Sequence, residues 1–264
     1  MSAPLPSAAP SASDSLPAVA YQGEPGAYSE EAALGYFGVD AVEPMPLPTF
    51  SAVARAVAEG RAAAALLPLE NSMAGTVGES VDALLRTRLP VVGEVLLPVR
   101  HQLLGVPGAT LDEVRCVASH RQALAQCERY LDRAGWTVVI AEDTAGAARA
   151  LAESRDPSRA VVASARAGER YGLAILDADI QDDDANTTRF AVVAARAEAV
   201  PPARGQLAPA PEAPRASLVV FETLHRPGAL HHALGAFAEA GANLSRIESR
   251  PTGRARWEYR FLVS

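Results

Sequence analysis

The feature that most constrains the fold of this chain is the alternation of short apolar runs with amphipathic segments before residue 200. Between the apolar runs, apolar residues at helical spacing predict helices at 30–37 and 122–134. Alternating strands and helices indicate an α/β fold with a largely parallel sheet, in which ligands bind beyond the carboxyl ends of the strands. The apolar runs predict the strands, which are 19–21, 62–67, 91–96, 116–118, 138–140 and 160–163.

A proline-rich segment divides the chain. Residues 200–216 contain Pro201, Pro202, Pro209, Pro211 and Pro214, and this density of proline is incompatible with a helix or an inner strand. We therefore predict a linker there, followed by a second domain. That domain is predicted to contain a strand, a helix and two strands, at 217–222, 227–240, 243–249 and 257–263. Because a free-standing ferredoxin-like domain has a further helix and strand, we expect the sequence to be truncated.

Composition excludes several classes of protein. Residues 1–18 are rich in Ala, Pro and Ser without a basic start or an apolar core, which predicts a disordered tail and not a secretory signal. The net charge of -7 argues against a surface for nucleic acid or anionic membrane. Cys116 and Cys127 lack the spacing of a disulfide framework or a metal site, so we expect buried free thiols in a reducing, cytoplasmic compartment.

Two polar clusters lie near the predicted strand ends of the first part of the chain. Segment 23–29 has glycines that let its backbone approach a ligand, and its Ser29 serves either such a site or as a helix cap. Segment 68–77 follows a strand, and we expect its Glu70 and Asn71 to form a ligand rim. A capping box at 76–79 predicts the start of the next helix.

Two further clusters follow. In 119–127, Ser119 and Gln122 form a second capping box, while Gln126 faces either a cleft or solvent and His120 is expected at the surface. Segment 186–190 places an amide, two hydroxyls and a guanidinium just before an apolar run. This set of groups suits an anionic substrate that needs a hydrogen-bond donor; the alternative is a strand edge with a surface arginine.

These four segments, in this order, resemble the signature segments of prephenate dehydratase. Two later segments, 226–230 and 248–251, resemble the phenylalanine-binding segments of the regulatory ACT domain of bacterial dehydratases. The resemblance covers nearly the whole chain from Val19 onward. It implies a two-lobed catalytic domain similar to periplasmic binding proteins at 19–199, the linker at 200–216 and an incomplete ferredoxin-like ACT domain at 217–264. The implied lobes are 19–95 with 180–198, and 96–179.

The resemblance also implies the chemistry. The family converts prephenate to phenylpyruvate in phenylalanine biosynthesis, with loss of water and carbon dioxide and without a metal or organic cofactor. Thr188 is then expected to assist the leaving hydroxyl, with Glu70 as a second candidate acid. The remaining substrate-binding residues are expected to be Asn71, Ser119, Gln126, Thr187, Arg189 and Phe190.

Regulation is implied in the same way. The expected effector is L-phenylalanine, bound where ACT domains pair between subunits of a homodimer or homotetramer. One departure from the family pattern is His231, which stands where many relatives have valine. The effector residues are expected to be Gly228, Ala229, Leu230, Glu248, Ser249, Arg250 and Pro251.

Three other functions compete with this prediction. An arogenate dehydratase performs the same chemistry on an amino-bearing side chain, and the sequence does not separate the two substrates. A non-catalytic amino-acid sensor has no need of a donor such as Thr188 opposite a leaving hydroxyl. A fusion with chorismate mutase is disfavoured because residues 1–18 are too short and too rich in proline for a helical mutase domain.

Overall fold

The computed structural model describes residues 15–210, 212–213, 216–254 and 256–264. Most of the predicted disordered tail, residues 1–14, lies outside the described residues. The chain divides into two compact units, one ending at Ala208 and the other running from Pro209 to Ser264. Within the described ranges, no helix has the length and apolar character needed to cross a bilayer.

The strands are numbered in chain order. They are β1 (Ala18–Gln22), β2 (Glu43–Leu47), β3 (Ala64–Asn71), β4 (Gly75–Thr76), β5 (Val91–Pro98), β6 (Gln102–Gly105), β7 (Cys116–His120), β8 (Thr137–Ala141), β9 (Arg159–Ala163), β10 (Ala174–Asp177), β11 (Thr187–Val193), β12 (Val219–Glu222), β13 (Ile247–Pro251) and β14 (Tyr259–Val263).

The helices follow the same order. They are α1 (Tyr28–Phe37), α2 (Phe50–Ala58), α3 (Gly78–Thr87), α4 (Arg121–Ala125), α5 (Glu128–Ala134), α6 (Thr144–Ser154), α7 (Ala165–Tyr171) and α8 (Ala229–Glu239). Two short 3-10 turns, Leu111–Glu113 and Ala197–Ala199, complete the assignment.

The first unit contains two sheets, one in each lobe. The first has the order β2-β1-β3-β11-β5, with β4 paired to β3, and the second has the order β10-β6-β9-β7-β8. Both are mixed, because β11 runs antiparallel to β3 and β5, and β6 runs antiparallel to β9 and β10. The prediction of a largely parallel sheet was therefore wrong. A strand that returns from the other lobe, as β11 does, enters the sheet in the opposite direction.

Helix α1 covers one face of the first sheet. Its Phe37 packs with Leu66 of β3, Leu97 of β5 and Phe190 of β11 in one buried cluster. Because side chains alternate across a strand, the fully buried Leu67 faces the opposite side, where α2 and α3 contact β3. The first sheet is thus covered on both faces near β3, and its core supports the end of β3 and the start of β11.

The lobe boundaries differ from the expected ones. We expected the first lobe to end at Val95, but β5 continues to Pro98 and pairs with β11 along its whole length. Alternating burial explains the continuation, since Val95, Leu97 and Val99 are buried while Leu96 and Pro98 are exposed. The fold class itself is confirmed as a two-lobed α/β unit, followed in sequence by a βαββ unit.

Three predicted helix caps were wrong. Helix α1 begins after Ala27 without a side-chain cap, so Ser29 lies inside it. Thr76 belongs to β4, and α3 begins after Val77 without a side-chain cap. His120, not Ser119, caps α4, because its ring accepts a hydrogen bond from the backbone of Gln122. In each case the capping pattern was present, but a neighbouring strand or turn set the helix start.

The glycine-rich segment 23–29 approaches the second lobe, and its expected approach to a ligand stays a prediction. The Ser164 hydroxyl donates to the Gly26 carbonyl at 2.7 Å, and the Tyr171 hydroxyl donates to the Pro25 carbonyl at 2.8 Å. Gly26 has φ +92°, and a Cβ there would lie 2.8 Å from Ala167 Cα. Glycine is needed because this turn joins the two lobes at close range.

The predicted linker begins with residues that pack on α1. The backbone amide of Gly205 donates to the Tyr36 carbonyl at 3.0 Å, and that of Leu207 donates to the Gly35 carbonyl at 2.7 Å. A Cβ on Gly35 would lie 2.6 Å from Leu207 Cδ1. Residues up to Ala208 therefore belong to the first unit, and proline density alone overstated the length of the free linker.

The second unit has the predicted order of strand, helix, strand and strand. Its antiparallel sheet has the order β12-β14-β13, with α8 between β12 and β13 in sequence. The strands and the helix begin two to four residues later than predicted.

We predict that Gly26→Ala lowers the free energy of unfolding more than Gly60→Ala does, by about 1–3 kcal/mol, because only the first adds a steric clash. Gly60 is a matched control, since it also has positive φ (+73°) but has no heavy atom within 4 Å of the position that a Cβ would take. Urea denaturation of both variants measures the difference, and equal losses would contradict the interlobe packing.

Candidate active site

A continuous network of polar side chains crosses from the first lobe to the second. It begins at the carboxyl end of β3 and at the start of β11, where Asn71 and Thr188 are paired residues on neighbouring strands. It continues through Gln126, His101 and Tyr28. Asn71 is 5% exposed and His101 is 2% exposed, so the network is largely withdrawn from solvent.

The side-chain amide of Asn71 has a defined orientation. Its Oδ1 accepts from the backbone amides of Met73 at 3.1 Å and Ala74 at 2.9 Å. Because backbone N–H groups only donate, the opposite end of the amide must be nitrogen. This Nδ2 donates to Thr188 Oγ1 at 3.0 Å and to Asn186 Oδ1 at 2.8 Å.

Thr188 is consequently a hydrogen-bond acceptor from Asn71 and retains its own proton. Its side chain is half-buried, and among the described residues no acceptor takes that proton. A donated hydrogen bond withdraws electron density from Oγ1, which makes the hydroxyl a better donor and a poorer nucleophile. Thr188 therefore presents a hydrogen-bond donor to a molecule bound beside it.

Gln126 connects this pair to the second lobe. Its Nε2 donates to Asn71 Oδ1 over a long 3.4 Å, and its Oε1 lies 2.8 Å from His101 Nε2. The predicted helix 122–134 is broken here into α4 and α5, and Gln126 is the C-cap residue of α4. Its backbone carbonyl accepts a hydrogen bond from the backbone amide of Asp182 at 2.7 Å, and this bond stabilises the break between the two helices.

Two residues of the network were missed from the sequence. His101 stands between β5 and β6, and its Nδ1 lies 2.7 Å from the Tyr28 hydroxyl. Burial lowers the pKa of His101, with a smaller opposing effect from the hydrogen bond to Gln126. Burial also raises the pKa of Tyr28, so both groups are neutral at pH 7. Tyr28 lies within the glycine-rich segment already noted, but His101 carries no local sequence signal.

The structure does not bring Glu70 and Arg189 to this network. They are paired residues on β3 and β11, each one position from Asn71 and Thr188, so they face the opposite side of the sheet. The Arg189 guanidinium forms an ion pair with Glu94 of β5 at 3.1 Å. Strand alternation therefore does not support the expected roles of Glu70 as an acid beside Thr188 and of Arg189 as a carboxylate ligand, and both roles stay predictions.

Three other expected substrate contacts have structural roles here. Ser119 is 0% exposed, and its hydroxyl donates to the Val162 carbonyl inside the second sheet at 2.6 Å. Phe190 is 2% exposed and belongs to the core under α1. Thr187 donates from Oγ1 to the Ala185 carbonyl at 3.1 Å. In this structure all three side chains thus interact within the protein, and their expected contacts with substrate stay predictions.

Charge near the network comes from Glu31 on α1 and from an acidic segment with its partners. Asp184 forms an ion pair with Arg100 at 2.7 Å, and Asp182 forms one with Arg129 at 3.5 Å. The exposed Asp183 accepts from the backbone of Ala185. In the part of the chain that the structure describes, no group of three or more His, Cys, Asp or Glu residues is arranged to hold a metal ion.

The second unit has a small cavity beside the start of α8. Its volume is about 120 Å³, and Ala229 and Leu230 from the expected effector site line it. The other expected effector residues are Gly228, which precedes α8, and 248–251, which lie on β13, and none of them lines this cavity. Pockets for small ligands usually measure about 300–1,000 Å³, so this cavity is small for an amino acid.

The chain is similar to known proteins over most of its length. A family model for prephenate dehydratase matches residues 19–198, and an ACT domain model matches residues 217–264. The Arabidopsis thaliana protein arogenate dehydratase/prephenate dehydratase 1, chloroplastic, is 43% identical over 241 residues, which is 91% of this chain and 59% of that protein. The chain thus spans little more than half the length of this curated relative.

Solved structures show the same similarity. The prephenate dehydratase from Arthrobacter aurescens in complex with L-Phe is 29% identical, with a TM-score of 0.79 over 93% of this chain and 79% of that one. A protein described as a novel type of quorum-quenching acylase is 36% identical, with a TM-score of 0.79 over 93% of this chain and 86% of that one. The chain belongs to the prephenate dehydratase family and carries an ACT domain after the family's catalytic region.

Proposed function

We propose that this chain catalyses the decarboxylative dehydration of prephenate to phenylpyruvate. The observation that carries the proposal is the direction of the hydrogen bond from Asn71 to Thr188, which leaves the Thr188 proton available for a bound substrate. In the reaction the bond from the ring to its carboxylate breaks, and its electron pair enters the ring. The ring hydroxyl departs as water with a proton supplied by solvent, and the ring becomes aromatic.

Thr188 assists the departure of the hydroxyl by donating a hydrogen bond to it. A threonine hydroxyl is a poor acid, so hydrogen bonding describes its role better than full proton transfer does. Donors aimed at an oxygen that gains charge in the transition state typically contribute about a hundred- to a thousandfold in turnover. Asn71 holds the Thr188 oxygen as an acceptor and so directs the proton outward.

The neutral character of the network suits the decarboxylation. The ring carboxylate loses its negative charge as carbon dioxide forms, so a cation bound to it would stabilise the substrate more than the transition state. The cation next to Thr188 in sequence, Arg189, lies on the opposite face with Glu94. Asn71 and Gln126 instead supply uncharged groups beside the proposed substrate site.

Thr188→Val removes the hydroxyl at nearly constant volume, and we expect it to lower kcat by at least about a hundredfold. Thr188→Ser keeps a hydroxyl within reach of Asn71 and should retain most of the activity. The ultraviolet absorbance of phenylpyruvate follows the reaction, and thermal unfolding checks that both variants fold. A valine variant within a few-fold of the parent protein would exclude Thr188 as the donor.

Arogenate is the second candidate substrate, and two observations favour it. Curated relatives at 42–44% identity include Petunia hybrida proteins named arogenate dehydratases. The acidic segment 182–184 also lies beside the network, and arogenate carries an ammonium group where prephenate has a keto oxygen. Similarity to structures named prephenate dehydratases supports prephenate.

We predict a kcat/KM at least about tenfold higher for prephenate than for arogenate, which corresponds to about 1.4 kcal/mol of discrimination. Steady-state rates on both substrates decide this, with Asp183→Asn as a probe of the acidic segment. A ratio that favours arogenate, and that falls in the Asp183 variant, would make arogenate the substrate.

Regulation by L-phenylalanine through the ACT domain is part of the proposal. The Arthrobacter aurescens neighbour is a complex with L-Phe, and the cavity beside α8 is too small to hold such a ligand alone. The two expected halves of the site, 228–230 and 248–251, are supplied by separate parts of the unit. We infer that two chains of a homo-oligomer combine them.

Leu230→Ala should weaken inhibition by L-phenylalanine about tenfold or more, because it removes apolar surface from the cavity. The rate without the amino acid should not change. Val220→Ala, which alters an exposed residue of β12 outside the cavity, is the matched control. Dose–response curves for the three proteins test this, and equal inhibition of all three would place the effector site elsewhere.

A non-catalytic sensor and an acylase remain distinguishable from the proposed enzyme. Binding of L-phenylalanine without turnover of either substrate would support the sensor. Hydrolysis of an acyl amide requires a nucleophile, whereas the Asn71 donor makes Thr188 Oγ1 a poorer one. The geometry therefore favours the dehydratase over a reaction like that of the quorum-quenching acylase.

A further inference from the structure

We propose that His101 is a positioning residue whose Nε2–H fixes the side-chain amide of Gln126 for the reaction at Thr188. His101 acts through Gln126 and does not itself contact the substrate. The inference rests on the proposed function for its kinetic consequence. Its structural part, the protonation and orientation of the two side chains, is independent of which substrate the protein uses.

The orientation of the Gln126 amide follows from two backbone N–H groups, which can only donate hydrogen bonds. The backbone amides of Met73 and Ala74 make Asn71 Oδ1 an acceptor. The end of Gln126 that faces Oδ1 must therefore be its NH₂ group, so the end that faces His101 must be its carbonyl oxygen.

The same contacts determine which ring nitrogen of His101 carries the proton. Because Gln126 Oε1 only accepts, the His101 Nε2 at 2.8 Å must carry a hydrogen. In neutral imidazole Nδ1 is then an acceptor. The Tyr28 hydroxyl, which also lies 3.1 Å from the Arg100 carbonyl, donates to Nδ1 at the shorter distance of 2.7 Å. Gln126 and Tyr28 thus favour the same tautomer of His101, and the Nε2–H of that tautomer holds the Gln126 amide in its orientation.

The surroundings keep His101 neutral. Burial lowers the pKa of its ring, and the hydrogen bond to Gln126 opposes that effect only in part. The titratable and charged groups around this pair are Glu31 on α1, Cys127 before α5, and Arg100 with Asp184 and Asp182 on the flanking segments. Burial also raises the pKa of Cys127 to about 12, so this thiol remains neutral.

Gln126 needs this support because it is held weakly at its other end. Its Nε2 lies 3.4 Å from Asn71 Oδ1, near the limit for a hydrogen bond. It also stands at the break between α4 and α5, where its backbone is tied to Asp182. Without a donor at His101, the amide is free to rotate and to present oxygen towards Asn71, where two acceptors would face each other.

The test compares two substitutions that differ in where they place a donor. His101→Gln puts an amide nitrogen near the position of Nε2, whereas His101→Asn puts its nitrogen near Nδ1 and leaves Gln126 without a donor. We expect His101→Asn to lower kcat/KM for prephenate about 10- to 100-fold, because displaced groups at a reaction centre cost that much. His101→Gln should recover most of the loss.

Tyr28→Phe tests the selection of the tautomer, with Tyr171→Phe as the matched control. Each tyrosine hydroxyl forms a hydrogen bond with a residue of the other lobe, but the Tyr171 hydroxyl donates to the Pro25 carbonyl and does not contact His101. Nitrogen-15 NMR of the histidine rings reports the tautomer directly. We expect His101 to carry its proton on Nε2 in the parent protein and in Tyr171→Phe, and to lose this single tautomer in Tyr28→Phe.

The pH dependence of stability gives an independent readout. The unfolded chain binds a proton at His101 near pH 6.5, and the folded chain binds it only at lower pH. Stability contributed by neutral His101 is therefore present above pH 6.5 and is lost as the pH falls below it. His101→Gln should flatten this part of the profile, and Tyr171→Phe should not.

The outcomes separate the two proposals. If the parent protein turns over neither prephenate nor arogenate, the proposed function fails, while the tautomer measurement still decides the structural part. If the parent protein is active and His101→Asn matches His101→Gln, or if the His101 proton lies on Nδ1, the positioning role is overturned.

Discussion

The site depends on two backbone hydrogen bonds in the turn between β3 and β4. The amides of Met73 and Ala74 donate to Asn71 Oδ1, and this fixes which atom of every following amide faces which partner. On the side of Thr188, the fixed Asn71 amide leaves the Thr188 proton available. On the side of the second lobe, it sets the orientation of Gln126 and the tautomer of His101. A network whose members are neutral and only a few ångströms apart needs such a fixed starting point, because side-chain amides otherwise flip at little cost.

Close packing between the lobes keeps the ends of this network in register. Gly26 meets Ala167 at a distance that excludes any side chain, and Ser164 and Tyr171 bind the backbone of the same turn. The turn leads directly into α1, whose first residue is Tyr28. The contacts that join the lobes and the contacts that orient His101 are therefore separated by only two residues of chain.

Much of the fold was predictable from local pattern, and the site was predictable only in part. Strand and helix alternation located most elements because burial repeats every two or 3.6 residues. Polar residues at strand ends pointed to Asn71 and Thr188, and Gln126 was noted as a polar position on a predicted helix that faces either a cleft or solvent. Direction within the sheet was not predictable, because the antiparallel entry of β11 depends on a crossing between lobes.

The same limit applies at single positions. Glu70 and Arg189 look equivalent to their neighbours in sequence, but one step along a strand turns a side chain to the other face. His101 was missed because its place in the network depends on contacts with Tyr28 and Gln126, which lie far from it in sequence. A network of this kind becomes visible only when tertiary contacts are known.

Helix α1 contacts the network at its first residue and the segment 205–207 near its last residues. Its first residue, Tyr28, binds His101, and near its end Gly35 and Tyr36 accept hydrogen bonds from residues 205 and 207. The absence of a side chain at Gly35 lets Leu207 pack directly against the helix backbone. The segment that leaves the first unit is thus anchored to the same helix whose first residue binds His101.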